Sequence, residues 1–336
     1  MKLDRLREIL ARAKGKRIAV AGDLMLDEFV WGKVGRISPE APVPVVEVTG
    51  ESFYPGGAAN VARNLREFID GVAVVGTVGT DASGRQLLEL LRAQEIETDL
   101  VLADPDFRTI VKTRIVARHQ QVVRVDREQI RTPGPEQVAQ VTAGLRKILP
   151  GLDAFIFEDY GKGFLSADLV SQLSADLKAA GKIATADPNP QRQVDWGKVT
   201  AVKPNRSEAL QAAGFPVTDP VDPPMEDKAL LTAGIRLLSA WDTEMLLITL
   251  GEQGMMLLER HKTPHHIPTK ARQVFDVSGA GDTAIALFTL ALACAASPTE
   301  AAEIANHASA VVVGKLGTAT VTPAELIASF EDDNGT

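Results

Sequence analysis

The residues best suited to chemistry form one short segment, Asp276 to Thr283 (DVSGAGDT), which runs into the apolar stretch Ala284 to Ala296. Gly279 and Gly281 allow a tight turn, and the first amides of a following helix have no partner within the helix, so the segment can hold an anion. Asp282 adds a carboxylate among those donors, where it would repel a phosphate. The segment therefore predicts either a base beside a bound phosphate or a side chain that only caps a core helix.

Other polar residues follow predicted strands, at the edge where open α/β sheets bind ligands. Asp27 follows the strand 17–22 and is either a ligand or a turn residue. Lys162 stands between two glycines after the strand 154–157, where it either meets a phosphate or is simply solvated. Asn205 and Glu208 have the spacing of a helix-capping pair. The alternative is that their oxygens hold a hydrated Mg²⁺.

Two glycine segments and one basic strand are open to both kinds of interpretation. The segments Pro55 to Asn60 (PGGAAN) and Leu250 to Met255 (LGEQGM) either let a backbone approach a ligand or only form turns. The β-rich block 110–125 carries Arg114 and Arg118, which taken alone indicate a solvated strand face.

The elements that must position these residues alternate between short apolar strands and helices of about three turns. That alternation predicts an α/β fold with a mostly parallel sheet and helices on both faces. The segment 31–48 differs, because its prolines exclude a helix interior and favour an extended excursion. Together with the block 110–125 it predicts a small inserted sheet that covers a site or makes a dimer contact.

Composition narrows the functional classes. The chain has 336 residues, 24% of them charged and 45% hydrophobic, which is typical of a globular protein. A net charge of −8 argues against nucleic acid or an anionic membrane as the main partner. The charged amino terminus lacks the apolar core of a signal peptide, and Ala284 to Ala296 is too short to span a bilayer. With Cys294 as its single cysteine, the chain is expected in the cytoplasm.

These segments, in this order, resemble the ribokinase-like carbohydrate kinases of the PfkB family over essentially the whole chain. Asp276 to Thr283 and Pro55 to Asn60 resemble the two signatures of that family. The resemblance implies a single three-layer α/β/α domain over 1–336, with a mostly parallel central sheet and a small β-sheet lid inserted at about 28–50 and 108–126. The segments 36–46, 159–163 and 311–321 are similar to the branch that phosphorylates the anomeric hydroxyl of D-glycero-D-manno-heptose 7-phosphate in lipopolysaccharide precursor synthesis.

The resemblance also implies a role for each candidate residue in an ATP-dependent phosphoryl transfer. Asp282 would be the base, and the amides of Gly279, Ala280 and Gly281 would stabilise the transferring group. The implied sugar ligands are Asp27, Gly56, Gly57 and Asn60; the ligands of the substrate phosphate are Arg36, Arg114, Arg118 and Lys162; those of the nucleotide are Asn205, Gly251, Gly254 and Asn306; and Asn205 and Glu208 hold Mg²⁺ through water.

The chain departs from the family pattern in two places. Asp187-Pro188 is followed by Asn189-Pro190 where relatives usually carry lysine and glycine, and Lys203-Pro204-Asn205 replaces a more common Thr-Pro-Asn. No second, nucleotidyltransferase domain follows in this sequence, so we expect the kinase step alone.

The expected cofactors are ATP, Mg²⁺ and a monovalent cation such as K⁺, and the expected partners are a phosphosugar and a second copy of the chain bound through the lid strands. One alternative is a kinase for another sugar, such as fructose or a fructose phosphate. The other is a non-catalytic sugar-sensing or nucleotide-sensing protein on the same fold.

Overall fold

The computed structural model describes residues 1–117, 120–192, 194–271 and 274–334. Helices and strands alternate along most of these ranges, as the sequence predicts. The strands are β1 (Arg17–Gly22), β2 (Leu24–Ile37), β3 (Pro44–Gly57), β4 (Gly71–Gly79), β5 (Glu97–Asp104), β6 (Ile110–Ala117), β7 (Gln120–Arg127), β8 (Ala154–Glu158), β9 (Ile183–Asp187), β10 (Ala201–Val202), β11 (Met245–Thr249), β12 (Met255–Glu259) and β13 (His265–Ile267). The helices are α1 (Leu3–Ala11), α2 (Ala58–Arg66), α3 (Ala82–Ala93), α4 (Pro135–Ile148), α5 (Ala167–Ala179), α6 (Arg206–Ala212), α7 (Lys228–Ala240), α8 (Ala280–Ala293), α9 (Pro298–Val313) and α10 (Pro323–Asn334).

The larger sheet has nine strands in the order β13-β12-β11-β10-β9-β8-β1-β4-β5. Seven of them run parallel, and β12 and β13 continue the edge in antiparallel pairing. Successive side chains of a strand point to opposite faces, so Val20 packs into the core under α2, α8 and α9, while Ala21 packs into the core under α5 and α7. The predicted three-layer α/β fold is confirmed.

The smaller sheet has the order β3-β2-β6-β7 and forms the predicted lid. β2 pairs antiparallel with β3 and parallel with β6, and β7 closes the other side of β6. From the sequence, Asp27 is expected to be either a ligand or a turn residue after β1, and Arg36 is expected in an extended excursion. Both residues lie on the fourteen-residue strand β2. The prolines do not break this strand because Pro39 and Pro42 lie in its connection to β3. The two register shifts in the pairing of β2 with β3 occur at Gly32 and Gly35.

The last helix, α10, was not predicted as a separate element. Its residues Leu326 and Phe330 are buried and join the core beside α1 and α9. Across the ranges that the structure describes, no helix is long and apolar enough to cross a membrane. The division of the chain into one domain with lid insertions stays a prediction.

Candidate active site

The predicted base, Asp282, lies in the first turn of α8 and is 5% exposed. Its two carboxylate oxygens accept hydrogen bonds from the side-chain amide of Asn60 and from the hydroxyl of Tyr160, each at 2.7 Å. The residue that precedes the helix is Gly279, in the left-handed conformation with φ 79°. Asp282 therefore does not cap the helix with its side chain. It is held by two neutral donors from other elements.

Burial sets the electrostatics of this carboxylate. Removal from water disfavours the charged form and raises the pKa of Asp282, while the hydrogen bonds from Tyr160 and Asn60 oppose that rise. The pKa of Tyr160 is raised well above its usual value, first by burial and then by the charge of Asp282. The phenol therefore stays neutral and donates, and the carboxylate is a better proton acceptor than a solvated aspartate.

The amide partner of the base is positioned from α2. Asn60 is fully buried, and its Oδ1 accepts a hydrogen bond from Arg63 at 3.3 Å while its Nδ2 donates to Asp282. One turn later Asn64 accepts a hydrogen bond from Thr283 at 2.9 Å, which ties α2 to α8 a second time. These bonds assign the amide orientation of Asn60, with its nitrogen towards the carboxylate.

Asp27, the predicted sugar ligand, lies on the lid and is 4% exposed. It forms an ion pair with Arg114 at 2.6 Å, so the structure brings these two predicted residues together. Gly56 permits the arrangement, because a Cβ at that position would lie 2.4 Å from Oδ2 of Asp27. Gly57 adopts φ 59°, and a Cβ there would meet the carbonyl oxygen of Asp23 at 2.5 Å. Both glycines serve close approach of the lid strands to the site.

A buried ion pair that sequence reasoning did not assign to the site lies beside the first turn of α8. Lys203 donates to Asp187 at 2.6 Å, and a Cβ on Gly281 would lie 3.5 Å from the Lys203 ammonium nitrogen. Glu158 lies near this pair with its Oε2 buried and without a hydrogen-bond partner in the described part of the chain. Burial raises the pKa of Glu158, and the charges of Asp187 and Asp282 raise it further.

The predicted magnesium residues form a reciprocal capping box at the start of α6. The Oδ1 of Asn205 accepts from the amide of Glu208 at 2.9 Å, and Oε2 of Glu208 accepts from the amide of Asn205 at 2.8 Å. Within residues 1–117, 120–192, 194–271 and 274–334, no three His, Cys, Asp or Glu side chains are grouped so that they could hold a metal by themselves. The pair nevertheless suits Mg²⁺, which keeps several waters and needs few protein oxygens.

Two cavities connect these groups into one cleft. The first, of about 640 Å³, is lined by Asp282, Lys203 and Glu208. The second, of about 480 Å³ and more apolar, is lined by Gly254, Asn306 and residues of α8 and α9. Their shared lining residues are Thr249, Gly251, Val277 and Gly281. The predicted nucleotide residues thus surround a continuous space that ends at the base, and Asn306 donates to the carbonyl of Pro268 at 2.6 Å.

The first turn of α8 differs in one detail from its predicted role. The amide of Ala280 donates to the carbonyl of Val277 at 3.3 Å, so it is engaged within the turn. The amide of Gly281 lies one residue further along, where a helix provides no partner.

The remaining predicted phosphate ligands lie at different places. Lys162 forms an ion pair with Glu128 and lines a small pocket with Asp23 rather than the cleft. Arg36 is exposed and lies nine residues along β2 from Asp27, so within one copy of the chain it does not join the site. Arg118 lies outside the described residues.

Sequence reasoning missed Tyr160, Asp187 and Lys203 as site residues. Tyr160 was available from the segment 159–163, which follows β8 at the same sheet edge as Asp282. The other two lie in the two segments that depart from the family pattern. A departure just after each of two adjacent parallel strands was the available signal, because β9 and β10 pair and end side by side.

Comparison with known proteins adds the family. Residues 16–325 match the family described as pfkB family carbohydrate kinase. The "Bifunctional protein HldE" of Desulfatibacillum aliphaticivorans is 41% identical over 94% of this chain and 63% of that protein. The protein of the same name in Caulobacter vibrioides is 42% identical over 96% of this chain and 65% of that protein. The chain thus spans somewhat less than two thirds of the length of these relatives.

Solved structures show the same fold at low identity. Phosphofructokinase-2 from Escherichia coli in complex with substrates and products aligns with a TM-score of 0.76 at 19% identity, covering 94% of this chain and 99% of that one. Arabidopsis thaliana ribokinase complexed with ribose and ATP aligns with a TM-score of 0.73 at 17% identity and the same coverages. The predicted ribokinase-like fold and the resemblance to carbohydrate kinases are confirmed.

Proposed function

We propose that this chain, which belongs to the pfkB family of carbohydrate kinases, transfers the γ-phosphoryl group of ATP to the anomeric hydroxyl of D-glycero-D-manno-heptose 7-phosphate. The observation that carries the proposal is the buried carboxylate of Asp282 at the start of α8, held by two neutral donors and opening on the cleft. A phosphotransferase needs a proton acceptor beside the phosphoryl group and donors around it.

The residues of the chain would act as follows. Asp282 takes the proton of the sugar hydroxyl while the hydroxyl oxygen forms a bond to the γ-phosphorus. The bond between that phosphorus and the leaving ADP oxygen breaks. Asn60 and Tyr160 hold the carboxylate in place and retain it after it is protonated. The amide of Gly281 and the ammonium of Lys203 face the transferring group and offset its charge.

The residues around the larger cavity suit ATP with a hydrated divalent cation. When bound, Mg²⁺ neutralises charge on the phosphates. Glu208 would hold it through water with the carboxylate oxygen that the capping box leaves over, and Asn205 fixes the position of Glu208. The more apolar cavity would take the adenine between Gly254 and Asn306. A requirement for a monovalent cation such as K⁺ stays a prediction.

The choice of a heptose 7-phosphate rests on the similarity of three sequence segments to that branch of the family and on the cationic residues of the lid. A phosphorylated sugar needs cations that a neutral sugar does not, and Arg114 and Lys162 lie on the lid side of the base.

We also propose that two copies associate through the lids. The lid exposes apolar side chains that a second copy would cover, namely Ile37, Val43, Val48, Val122, Val123 and Val125. The reaction consumes ATP, which places the chain in the cytoplasm under this proposal.

The experiment that tests the proposal measures ATP consumption against heptose 7-phosphate, fructose, fructose 6-phosphate and ribose, for the wild type and for Asp282→Asn. We expect the highest kcat/KM with heptose 7-phosphate and a loss in the variant of about 10²–10⁴-fold. The variant should keep the unfolding temperature and the ATP affinity of the wild type, because the asparagine side chain keeps one hydrogen-bonding oxygen. A clear preference for a neutral sugar would refute the substrate, and a fully active variant would refute the base.

A further inference from the structure

One cation of the lid, Lys112, has a different environment from Arg114, Arg124 and Lys162, which form ion pairs. Lys112 lies on β6, opposite Asp27 of β2 on one side and Asp126 of β7 on the other. Side chains directly opposite on paired strands point to the same face of the sheet, so Lys112 shares the face of Asp27, which also carries Tyr54. This face meets the cleft at Tyr160, which lines the larger cavity and lies under Lys112.

The carboxylates near Lys112 are engaged with other cations. Asp27 pairs with Arg114 at 2.6 Å, and Asp126 pairs with Arg124 at 2.9 Å. The third nearby acid, Glu128, pairs with Lys162. The described residues place no carboxylate oxygen within 4.0 Å of the Lys112 ammonium, which instead lies over the ring of Tyr160 at 5.2 Å from its centroid.

Partial burial makes this ammonium costly to leave without an anion. Desolvation lowers the pKa of Lys112, and the charges of Asp27 and Glu128 only partly offset it. A cation–π contact stabilises an ammonium less than a hydrogen-bonded anion does in a desolvated site. The lid thus holds a half-buried positive charge that has no carboxylate within ion-pair distance among the described residues.

The position of Lys112 relative to the base indicates which anion could pair with it. Tyr160 donates its hydroxyl to Asp282, so the ammonium and the base contact the same phenol, one at the ring face and the other at its hydroxyl. A sugar whose reacting hydroxyl meets Asp282 would extend along that phenol towards Lys112. Its far end would then meet the ammonium.

We propose that Lys112 binds the phosphomonoester at the far end of the sugar, and thereby selects a phosphorylated sugar over the same sugar without phosphate. This inference rests on the proposed kinase function and adds a specificity residue to it. Lys162, which is already paired, contributes less, because binding substrate through it would break its bond to Glu128.

The test compares Lys112→Met with the wild type on heptose 7-phosphate and on heptose without phosphate. We expect kcat/KM for the phosphosugar to fall about 10–100-fold, the range for a lost hydrogen bond to a charged group, through KM more than kcat. For the neutral heptose the change should stay within about threefold, so discrimination between the two sugars collapses. Lys112→Arg should restore most of it, which separates a lost charge from a damaged fold.

Lys33→Met is the matched control, since Lys33 lies on the same lid, exposed and opposite Glu47 of β3. It should leave both substrates unchanged. An equal loss for both sugars in Lys112→Met, or no loss for the phosphosugar, would overturn the inference while the kinase function stands. If the wild type uses another sugar phosphate best, the same comparison is made with that pair, and the heptose proposal alone fails. If the wild type prefers the neutral sugar in every pair, the inference fails too.

Discussion

Replacing Tyr160 by phenylalanine should move the acid limb of the pH–rate profile to higher pH. The tyrosine hydroxyl donates to Oδ1 of Asp282 at 2.7 Å and lowers the pKa of that carboxyl, against the larger opposite effect of burial. Without the donor the ionised form is less stable and the pKa rises further. Because the base must be ionised to accept the proton, activity at low pH is lost first.

The magnitude follows from the kind of bond that is removed. A hydrogen bond to a charged group contributes about 1.5–3 kcal/mol, and one pKa unit corresponds to about 1.4 kcal/mol. The acid limb should therefore shift upwards by about one to two units. At pH values well above the new pKa, the variant should regain most of its rate, because phenylalanine keeps the ring that lies under Lys112 and Asn60 still holds the carboxylate.

The assay is kcat/KM for the sugar as a function of pH at saturating ATP, since this quantity reports the pKa of the base in the enzyme–ATP complex before the sugar binds. The chain has only two tyrosines, and Tyr54→Phe is the matched control. Tyr54 lies opposite Asp27 on the same lid face, with the Arg63 guanidinium 5.6 Å from its ring, whereas Asp282 accepts its side-chain hydrogen bonds from Asn60 and Tyr160. A uniform fall in rate with an unmoved acid limb, or equal shifts in both variants, would refute the role given to Tyr160.

Two further predictions use glycines whose surroundings differ. Gly279→Ala and Gly214→Ala should each lower the free energy of unfolding by about 1 kcal/mol in urea denaturation, because both positions have a left-handed backbone. Only Gly279→Ala should lose activity, because its Cβ would lie 2.9 Å from the side-chain nitrogen of Asn60, which donates to Asp282. Equal activity in the two variants would show that a Cβ at residue 279 does not disturb the hydrogen bond between Asn60 and Asp282. Gly56→Ala should raise KM for the sugar about tenfold, because its Cβ would displace Asp27, whereas Gly35→Ala on the same lid meets nothing within 4 Å and should leave KM unchanged. An unchanged KM in Gly56→Ala would exclude Asp27 as a sugar ligand.

The alternation of strands and helices was predictable because each central strand is buried on both faces and must be apolar throughout. β1 and β8 have this character except at Arg17 and Glu158, which lie at their ends, so both strands can be predicted from the local sequence. The lid was harder to predict in detail. β2 is only partly buried and carries glycines and charged residues, and its fourteen-residue length depends on pairing with β3 and β6, which are separated in sequence.

The site was predictable where one local segment contains the chemistry, and less so where partners come from distant elements. The glycines and the acid of α8 stand together in sequence, so a base or a cap could be proposed from that segment. That Asp282 accepts from Asn60 and Tyr160, 222 and 122 residues away, depends on how α2 and β8 pack against α8. A sequence pattern does not show which charged residues form ion pairs, so the pair between Lys162 and Glu128 could not be predicted either.

The lysines at the two ends of the cleft differ in their partners: Lys203 is ion-paired, whereas Lys112 lies over an aromatic ring. This difference affects how each end binds an anion. Lys203, at the phosphoryl-transfer end, has its own counter-ion in Asp187, which offsets part of the cost of burying it before a nucleotide arrives. A nucleotide gains from Lys203 only as far as it competes with Asp187. Lys112, at the sugar end, lacks a carboxylate partner among the described residues, so an incoming phosphate supplies one without displacing another. Discrimination by charge is therefore expected to be concentrated at the sugar end, where the anion distinguishes one sugar from another.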